Sequence, residues 1–261
     1  VANDKNTLLQ KLMTKPLWEQ DAEEVENEMD NFRRQFVKFE KDYKSKDMTD
    51  EAEIAASAQA ECNDFLNDLH PLMALLCTRG LKKRHWDSIN KLTGLFIPYA
   101  QNANLKQMVN YGLHKHVEVI TDTCINASKE FSLEQAMDKM EEEWAPMVFG
   151  SKAWKDTGTF ILTSVEEIEQ ILDDQIVRTQ AMRGSRFIKP FTERITAWAK
   201  ILQNIEETIG VWLKVQSTWL YLEPIFSSED IRKQMPMEAK RFATVDRTWR
   251  DIMTGLQEDA S

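Results

Sequence analysis

Gly150-Ser151-Lys152 and Gly158-Thr159 come nearest to a phosphate cradle, since such a loop needs glycines that let backbone N–H groups approach and a lysine that reaches the phosphate. Their spacing is not that of G-x-x-x-x-G-K-[ST], and no helix is predicted to start there, so no nucleotide site is expected. G-x-G-x-x-G, H-E-x-x-H and C-x-x-C do not occur, which leaves the common dinucleotide and zinc patterns without residues. His114 and His116 are two apart, about 200° around a helix, and would not share a metal. A helical di-iron centre needs Glu-x-x-His pairs, and there is none. Glu141, Glu142 and Glu143 would become acid–base groups only in an apolar pocket, and in an acidic helical chain they read as a solvated face. The eight tryptophans and twelve methionines fall at helical spacing and read as core. The residues therefore give no catalytic, cofactor-binding or metal site.

Charge and cysteine usage narrow the classes further. A net charge of -10 repels a polyphosphate backbone, so nucleic acid would need a concentrated basic patch. The one candidate is Lys82, Lys83, Arg84 and His85, which reads either as a localisation signal or as cations at a helix end complementing its dipole. Cys62, Cys77 and Cys124 are odd in number, far apart and in apolar surroundings, which suits free thiols in a reducing compartment, by default the cytoplasm. No apolar run approaches 18 residues and the first twenty lack a signal-peptide pattern, so no membrane span or export is expected. The chain opens on Val1, which suggests a piece of something longer.

Eight glycines and seven prolines among 261 residues are too few for a many-stranded protein, and the fold is predicted to be mainly α. Val25, Met29, Phe32, Phe36, Phe39 and Tyr43 lay one stripe along a helix with acids early and bases late. Ile54, Ala58, Cys62, Phe65, Leu69 and Met73 mark its antiparallel partner, with Pro71 at a kink or an end. A short helix within Leu81 to Thr93 ends at Gly94 and Pro98. Two further helices follow, one on Leu113, Val117, Ile120 and Cys124, the other after Glu130 on Leu133, Met137, Met140 and Trp144. Met147, Val148, Phe149 and Phe160, Ile161, Leu162 flank a polar turn and predict one β-hairpin near residues 147–162, which must lean on helices. Ser164 with Glu167 reads as a capping box for the next helix, which runs to Gly184.

The most regular pattern is Ile195, Trp198, Leu202, Ile205, Ile209, Trp212, Gln216 and Trp219, a 3,4 repeat over about three and a half heptads. Ile201, Leu213 and Leu220 widen that stripe, as in the central helix of a bundle, and Pro224 is expected to end it. Gln216 falls on the core face, where it should be paired, or else a local rotation leaves it at the bundle edge. Gly210, inside the same helix, costs about 1 kcal/mol against alanine and implies either close packing or a bending point. A last helix from Pro236 carries Phe242, Val245, Trp249, Ile252 and Met253. The division expected is a subdomain of long antiparallel helices over 1–110 and a second over 111–261 with the hairpin and the long central helix.

Two stretches resemble the linker of dynein heavy chains. One is Leu69-His-Pro-Leu-Met-Ala-Leu-Leu-Cys-Thr-Arg-Gly-Leu-Lys-Lys-Arg-His-Trp86, ending in the Lys-x-Arg-His-Trp signature through Arg84, His85 and Trp86. The other runs from Trp212 through Gln216, Trp219, Glu223, Phe226 and Asp230 to Ile231, continued by Gln234-Met-Pro236 and Phe242-Ala-Thr-Val-Asp246. Gly112-Leu-His-Lys-His116, Trp154-Lys-Asp-Thr-Gly-Thr-Phe-Ile-Leu162 and Leu172-Asp-Asp174 are similar as well, so residues 65 to 253 are covered. Phe226-Ser-Ser-Glu-Asp-Ile231 is more similar to ciliary and flagellar heavy chains than to cytoplasmic ones. The first sixty residues match in helical character alone.

The resemblance implies an elongated, curved array of helical bundles, a lever that bends and straightens over a ring of six AAA+ modules to drive movement on microtubules. ATP and Mg would belong to the parent motor, with none held in this segment. Its partners would be the AAA+ ring of the same heavy chain and, through the motor, the microtubule, with no nucleic acid or membrane, in the cytoskeleton of a cilium or flagellum. The family's closing Phe-Pro-Arg-Phe segment does not occur, so the C-terminal part of the linker is expected to lie outside this sequence. The competing reading is a helical scaffold of spectrin-like or solenoid type, which would show a fixed repeat that is not found here. A hydrolytic enzyme with clustered carboxylates comes third.

Overall fold

The computed structural model describes residues 1–100 and 102–259. Among the described residues the chain is mainly α-helical with one two-stranded hairpin, and it forms two compact units, Val1–Leu133 and Glu134–Ser261. The boundary lies at 133/134 rather than at 110/111, because Leu113, Ile120 and Cys124 join the same core as Leu12, Leu17 and Met29.

In the first unit, α1 (Ala2–Thr14) leads by a short turn to α2 (Ala22–Lys44). The carboxylate of Asp21 caps α2 by accepting from the N–H groups of Glu23 (3.0 Å) and Glu24 (3.2 Å). Val25, Met29 and Phe36 are buried along it and Phe32 and Phe39 pack against the same core, as the stripe predicts. Helix α3 (Thr49–Asp64) returns alongside α2 and passes through a π-helical turn, Phe65–Leu69, into α4 (His70–Leu76). There His70 Nε2 meets the carbonyl of Ala22, 2.9 Å away, so the second helix has come back to the start of the first. Pro71 sits in the first turn of α4, where its missing N–H costs nothing. Ile54 is not on the packed face: it is 67% exposed, and α3 instead buries Ala52, Ala55 and Ala58, small residues that let α2 approach.

Helix α5 (Lys83–Thr93) ends on Gly94 in the left-handed region, φ 70°. The chain then pairs back on the start, with the Leu17 N–H donating to Ala103 (2.9 Å), before α6 (Leu105–Asn110) and α7 (Val117–Trp144). The two helices expected on either side of Glu130 are one, α7, since nothing between them breaks a helix. Its part in the first unit buries Ile120, Cys124 and Ala127, and its part in the second buries Met137 and Met140.

The second unit carries the hairpin, β1 (Gly150–Ala153) antiparallel to β2 (Phe160–Thr163), in the register Gly150↔Thr163 and Ser151↔Leu162. The first strand begins after the apolar trio: Met147, Val148 and Phe149 are exposed, and β2 supplies the buried residues Ile161 and Leu162. Helix α8 (Val165–Arg183) follows, but Ser164 is no capping box; it turns the chain at φ 58° and makes no side-chain cap bond. Helix α9 (Thr192–Ser227) buries Ile195, Leu202, Ile209, Gln216 and Trp219 as the repeat predicts, while Ile201 is exposed.

Pro224 does not end α9 but lies inside it. An interior proline costs about 3 kcal/mol, and two contacts hold the last turn against that cost. The Ser227 hydroxyl bonds the Glu223 carbonyl (2.8 Å) and carboxylate (2.7 Å), and Phe226 stacks on Phe242 at 5.2 Å. Then come α10 (Glu229–Gln234) and α11 (Pro236–Asp259), with Trp249 and Met253 buried against α9.

Candidate functional site: a hairpin anchored by two helices

In the second unit, α9 places Gln216 and Trp219 three residues apart, hence on one face, toward the hairpin and α11. Gln216 is buried, and both ends of its amide are used on one residue. Its Oε1 accepts from the Leu162 N–H at 2.8 Å and its Nε2 donates to the Leu162 carbonyl at 3.1 Å. The side-chain amide thereby takes the place of a third strand on the outer edge of β2, satisfying two backbone groups that would otherwise be buried without partners.

Three residues on, the Trp219 indole N–H donates to Asp246 Oδ1 at 3.0 Å, and the Arg250 Nε donates to the other oxygen of Asp246 at 2.9 Å. The Arg250 Nη1 continues to the carbonyl of Thr157 in the hairpin turn. That turn is closed by the Trp154 N–H to the Thr159 carbonyl (2.9 Å) and uses left-handed backbone at Lys155 and Gly158. Around the network Trp219 stacks on Trp249 (5.6 Å, 22°) and Trp212 meets Trp249 edge-on (6.3 Å, 70°). Both oxygens of Asp246 are taken by donors, and its chemistry is that of a strut between helices and turn.

Arg84, His85 and Trp86 lie in the other unit. Lys82 donates its N–H to His85 Nδ1 (3.0 Å), which leaves the proton on Nε2 to be donated to Glu130 (2.9 Å). Arg84 bonds the same carboxylate oxygen through Nε (3.0 Å) and Nη2, and Trp86 is buried in the core. The basic run thus opens α5 rather than closing a helix, so complementing a helix C-terminus is not its role; Arg84 reaches α7 instead. Close by, a Cβ on Gly80 would lie 2.3 Å from the Ala127 carbonyl oxygen and 2.7 Å from Phe131 Cβ, so only glycine lets this loop touch α7.

Of the remaining candidates, Glu223 is buried and bonded to Ser227, Phe226 stacks on Phe242, and Asp230 is exposed on α10. The close-packing reading of Gly210 fails within its unit: the residue is exposed and a Cβ there meets nothing within 4 Å. Asp246 entered only as the last residue of a family-like stretch and Arg250 not at all, although they stand four apart on a helix as an ion pair would. Glu130 and Gly80 were missed as partners because each acts across a long sequence separation.

The cysteines are free, and burial pushes the Cys77 thiol up to about 11 and that of Cys124 to about 12, so both are protonated near neutrality. Among the described residues no group of three His, Cys, Asp or Glu side chains could hold a metal ion, and no helix is long and apolar enough to cross a membrane.

The fold and these contacts define a helical segment whose buried polar groups fasten its elements together. The chain belongs to the family described as dynein heavy chain, N-terminal region 2, whose model matches residues 1–261. It is 37% identical over 258 residues to dynein axonemal heavy chain 3 of Mus musculus, covering 99% of this chain and 6% of that one. It is 41% identical over 241 residues to dynein axonemal heavy chain 12 of Homo sapiens, 92% of this chain and 8% of the relative. Against dynein axonemal heavy chain 1 of Homo sapiens the identity is 38% over 247 residues, 95% and 6%. The chain spans less than a tenth of the length of these relatives.

Proposed function

We propose that this segment is the force-transmitting part of the linker in an axonemal dynein heavy chain, a lever that bends and straightens over an AAA+ ring as the motor moves on microtubules in a cilium or flagellum. ATP and Mg would act in the ring, and this segment would carry the resulting displacement. The observation that supports the reading is the anchored hairpin. A body that passes force must keep its elements in register under load, and directional bonds from α9 and α11 to one strand and one turn resist sliding in a way that apolar packing alone does not.

The test is Asp246→Asn in the complete heavy chain. The amide still accepts from Trp219 but no longer pairs with Arg250, releasing the hairpin turn while the core stays in place. Microtubule gliding should slow while ATP turnover persists. Unchanged gliding, or gliding and turnover falling in equal measure, would contradict the proposal.

A further inference from the structure

The last turn of α9 is the least secured part of that helix. Pro224 has no N–H to donate to the preceding turn, and at Ser228 the chain leaves the helix with extended backbone, φ -69° and ψ 126°. Glu223 is buried in this turn, and among the described residues the donor that meets its carboxylate is the Ser227 hydroxyl at 2.7 Å. Ser227 itself is exposed, and so are the three residues after it, Ser228, Glu229 and Asp230. Two exposed carboxylates, two and three residues beyond an exposed hydroxyl, form the charge pattern that an acid-directed protein kinase reads with a basic substrate groove. Ser228 fits that pattern less well, because the third residue after it is Ile231.

We propose that Ser227 is a phosphorylation site for an acid-directed protein kinase, and that its phosphate releases the end of α9. A kinase needs its target in extended chain, and this turn can supply it: opening breaks the Ser228 N–H bond to the Ile225 carbonyl, long at 3.3 Å, and the contacts of the Ser227 hydroxyl with Glu223. In the transfer the Ser227 Oγ bonds to the γ-phosphorus of ATP as the bond to the bridging oxygen breaks. ADP leaves, and the hydroxyl proton passes to the kinase's catalytic carboxylate. The modified turn cannot close as before. The donor hydroxyl is gone, and a phosphate carrying a charge of about -1.5 to -2 at neutral pH would stand against the Glu223 carboxylate, which Oγ now meets at 2.7 Å. Of the two contacts that hold the turn, only the stacking of Phe226 on Phe242 then remains. The free hydroxyl therefore locks the end of α9, and the phosphate unlocks it. This inference does not depend on the segment swinging as a lever.

The experiment incubates the complete heavy chain, and separately the 1–261 chain, with ATP and a purified acid-directed casein kinase. Peptide mass spectrometry locates the phosphate, and amide hydrogen exchange is followed before and after. Phosphate should appear on Ser227 in both chains, and Ser227→Ala should take up none at that position. Asp230→Asn, a change at an exposed carboxylate, should slow the uptake at least about tenfold while leaving the fold intact. After modification the amides of Phe226, Ser227 and Ser228 should exchange at least about tenfold faster, while those of α2 keep their rates. An unphosphorylated Ser227, or one phosphorylated in the 1–261 chain alone, would overturn the assignment of the site. Uptake indifferent to Asp230→Asn would overturn its reading by charge, and phosphate on Ser227 with exchange unchanged would overturn the release. Motility is not read, so a failed lever proposal leaves these outcomes unaffected.

Discussion

Replacing Gln216 by methionine keeps the length and approximate volume of the side chain and removes only its amide. Leu162 then has a buried N–H and a buried carbonyl facing thioether, having lost partners at 2.8 and 3.1 Å. Each such group costs about 1–3 kcal/mol when left unpaired. The added apolar burial of methionine returns about 1 kcal/mol, so with two groups unpaired the net loss is about 1–5 kcal/mol. In a chain of this size that lowers the melting temperature by about 2–20 °C. Calorimetry of the 1–261 chain measures the shift, and hydrogen exchange should show the Leu162 amide losing its protection while amides in α2 keep theirs. Gln216→Glu retains the acceptor but sets a carboxylate against the Leu162 carbonyl. Its deficit should shrink as acid protonates the carboxyl and restores a donor. A melting temperature unchanged in Gln216→Met, with Leu162 still protected, would refute the view that this amide anchors the strand.

Gly80→Ala should lower stability by about 1–3 kcal/mol through overpacking, since its Cβ would strike backbone atoms of α7 that cannot rotate away; urea melts measure it. Gly210→Ala should raise stability by about 1 kcal/mol, the ordinary helix preference, because the new methyl meets open space; if Gly210 is a bending point the complete motor should also glide more slowly at preserved ATP turnover. The raised thiols of Cys77 and Cys124 imply alkaline destabilisation. Their protonated folded form contributes stability that is whole below the unfolded value near 9 and is lost as pH rises through about 11 and about 12. Cys124→Ala should flatten that slope by up to about 1.4 kcal/mol per pH unit, read from melts between pH 8 and 11, and an unaltered slope would contradict it.

The long helices were legible in the sequence because a 3,4 apolar repeat reports burial directly, and the residues that the stripes of α2 and α9 name are buried or half-buried. Gln216 was legible as a polar residue on that face, but its partner was not, for Leu162 lies 54 positions away and is engaged through its backbone. The errors have physical sources. Pro224 reads as a stop because its local cost is large, and the packing of Phe226 on Phe242 that offsets it is tertiary. Ile54 fits a stripe by spacing, but α3 packs through the small residues Ala52, Ala55 and Ala58 and leaves Ile54 exposed, a choice made by the neighbouring helix and not by local spacing. Met147 to Phe149 look like a strand by composition, whereas pairing starts at Gly150, where a Cβ would crowd Thr163 at 2.9 Å.

The lever itself is tested most directly by a distance. A donor fluorophore on Val177→Cys, exposed and outside the anchored hairpin, and an acceptor on the ATPase ring of the same complete heavy chain would be followed in single molecules through the nucleotide cycle. A lever gives two transfer efficiencies that exchange with nucleotide state, with their difference blurred in Asp246→Asn. One efficiency, the same with ATP, with ADP and without nucleotide, while the motor still glides, would contradict it.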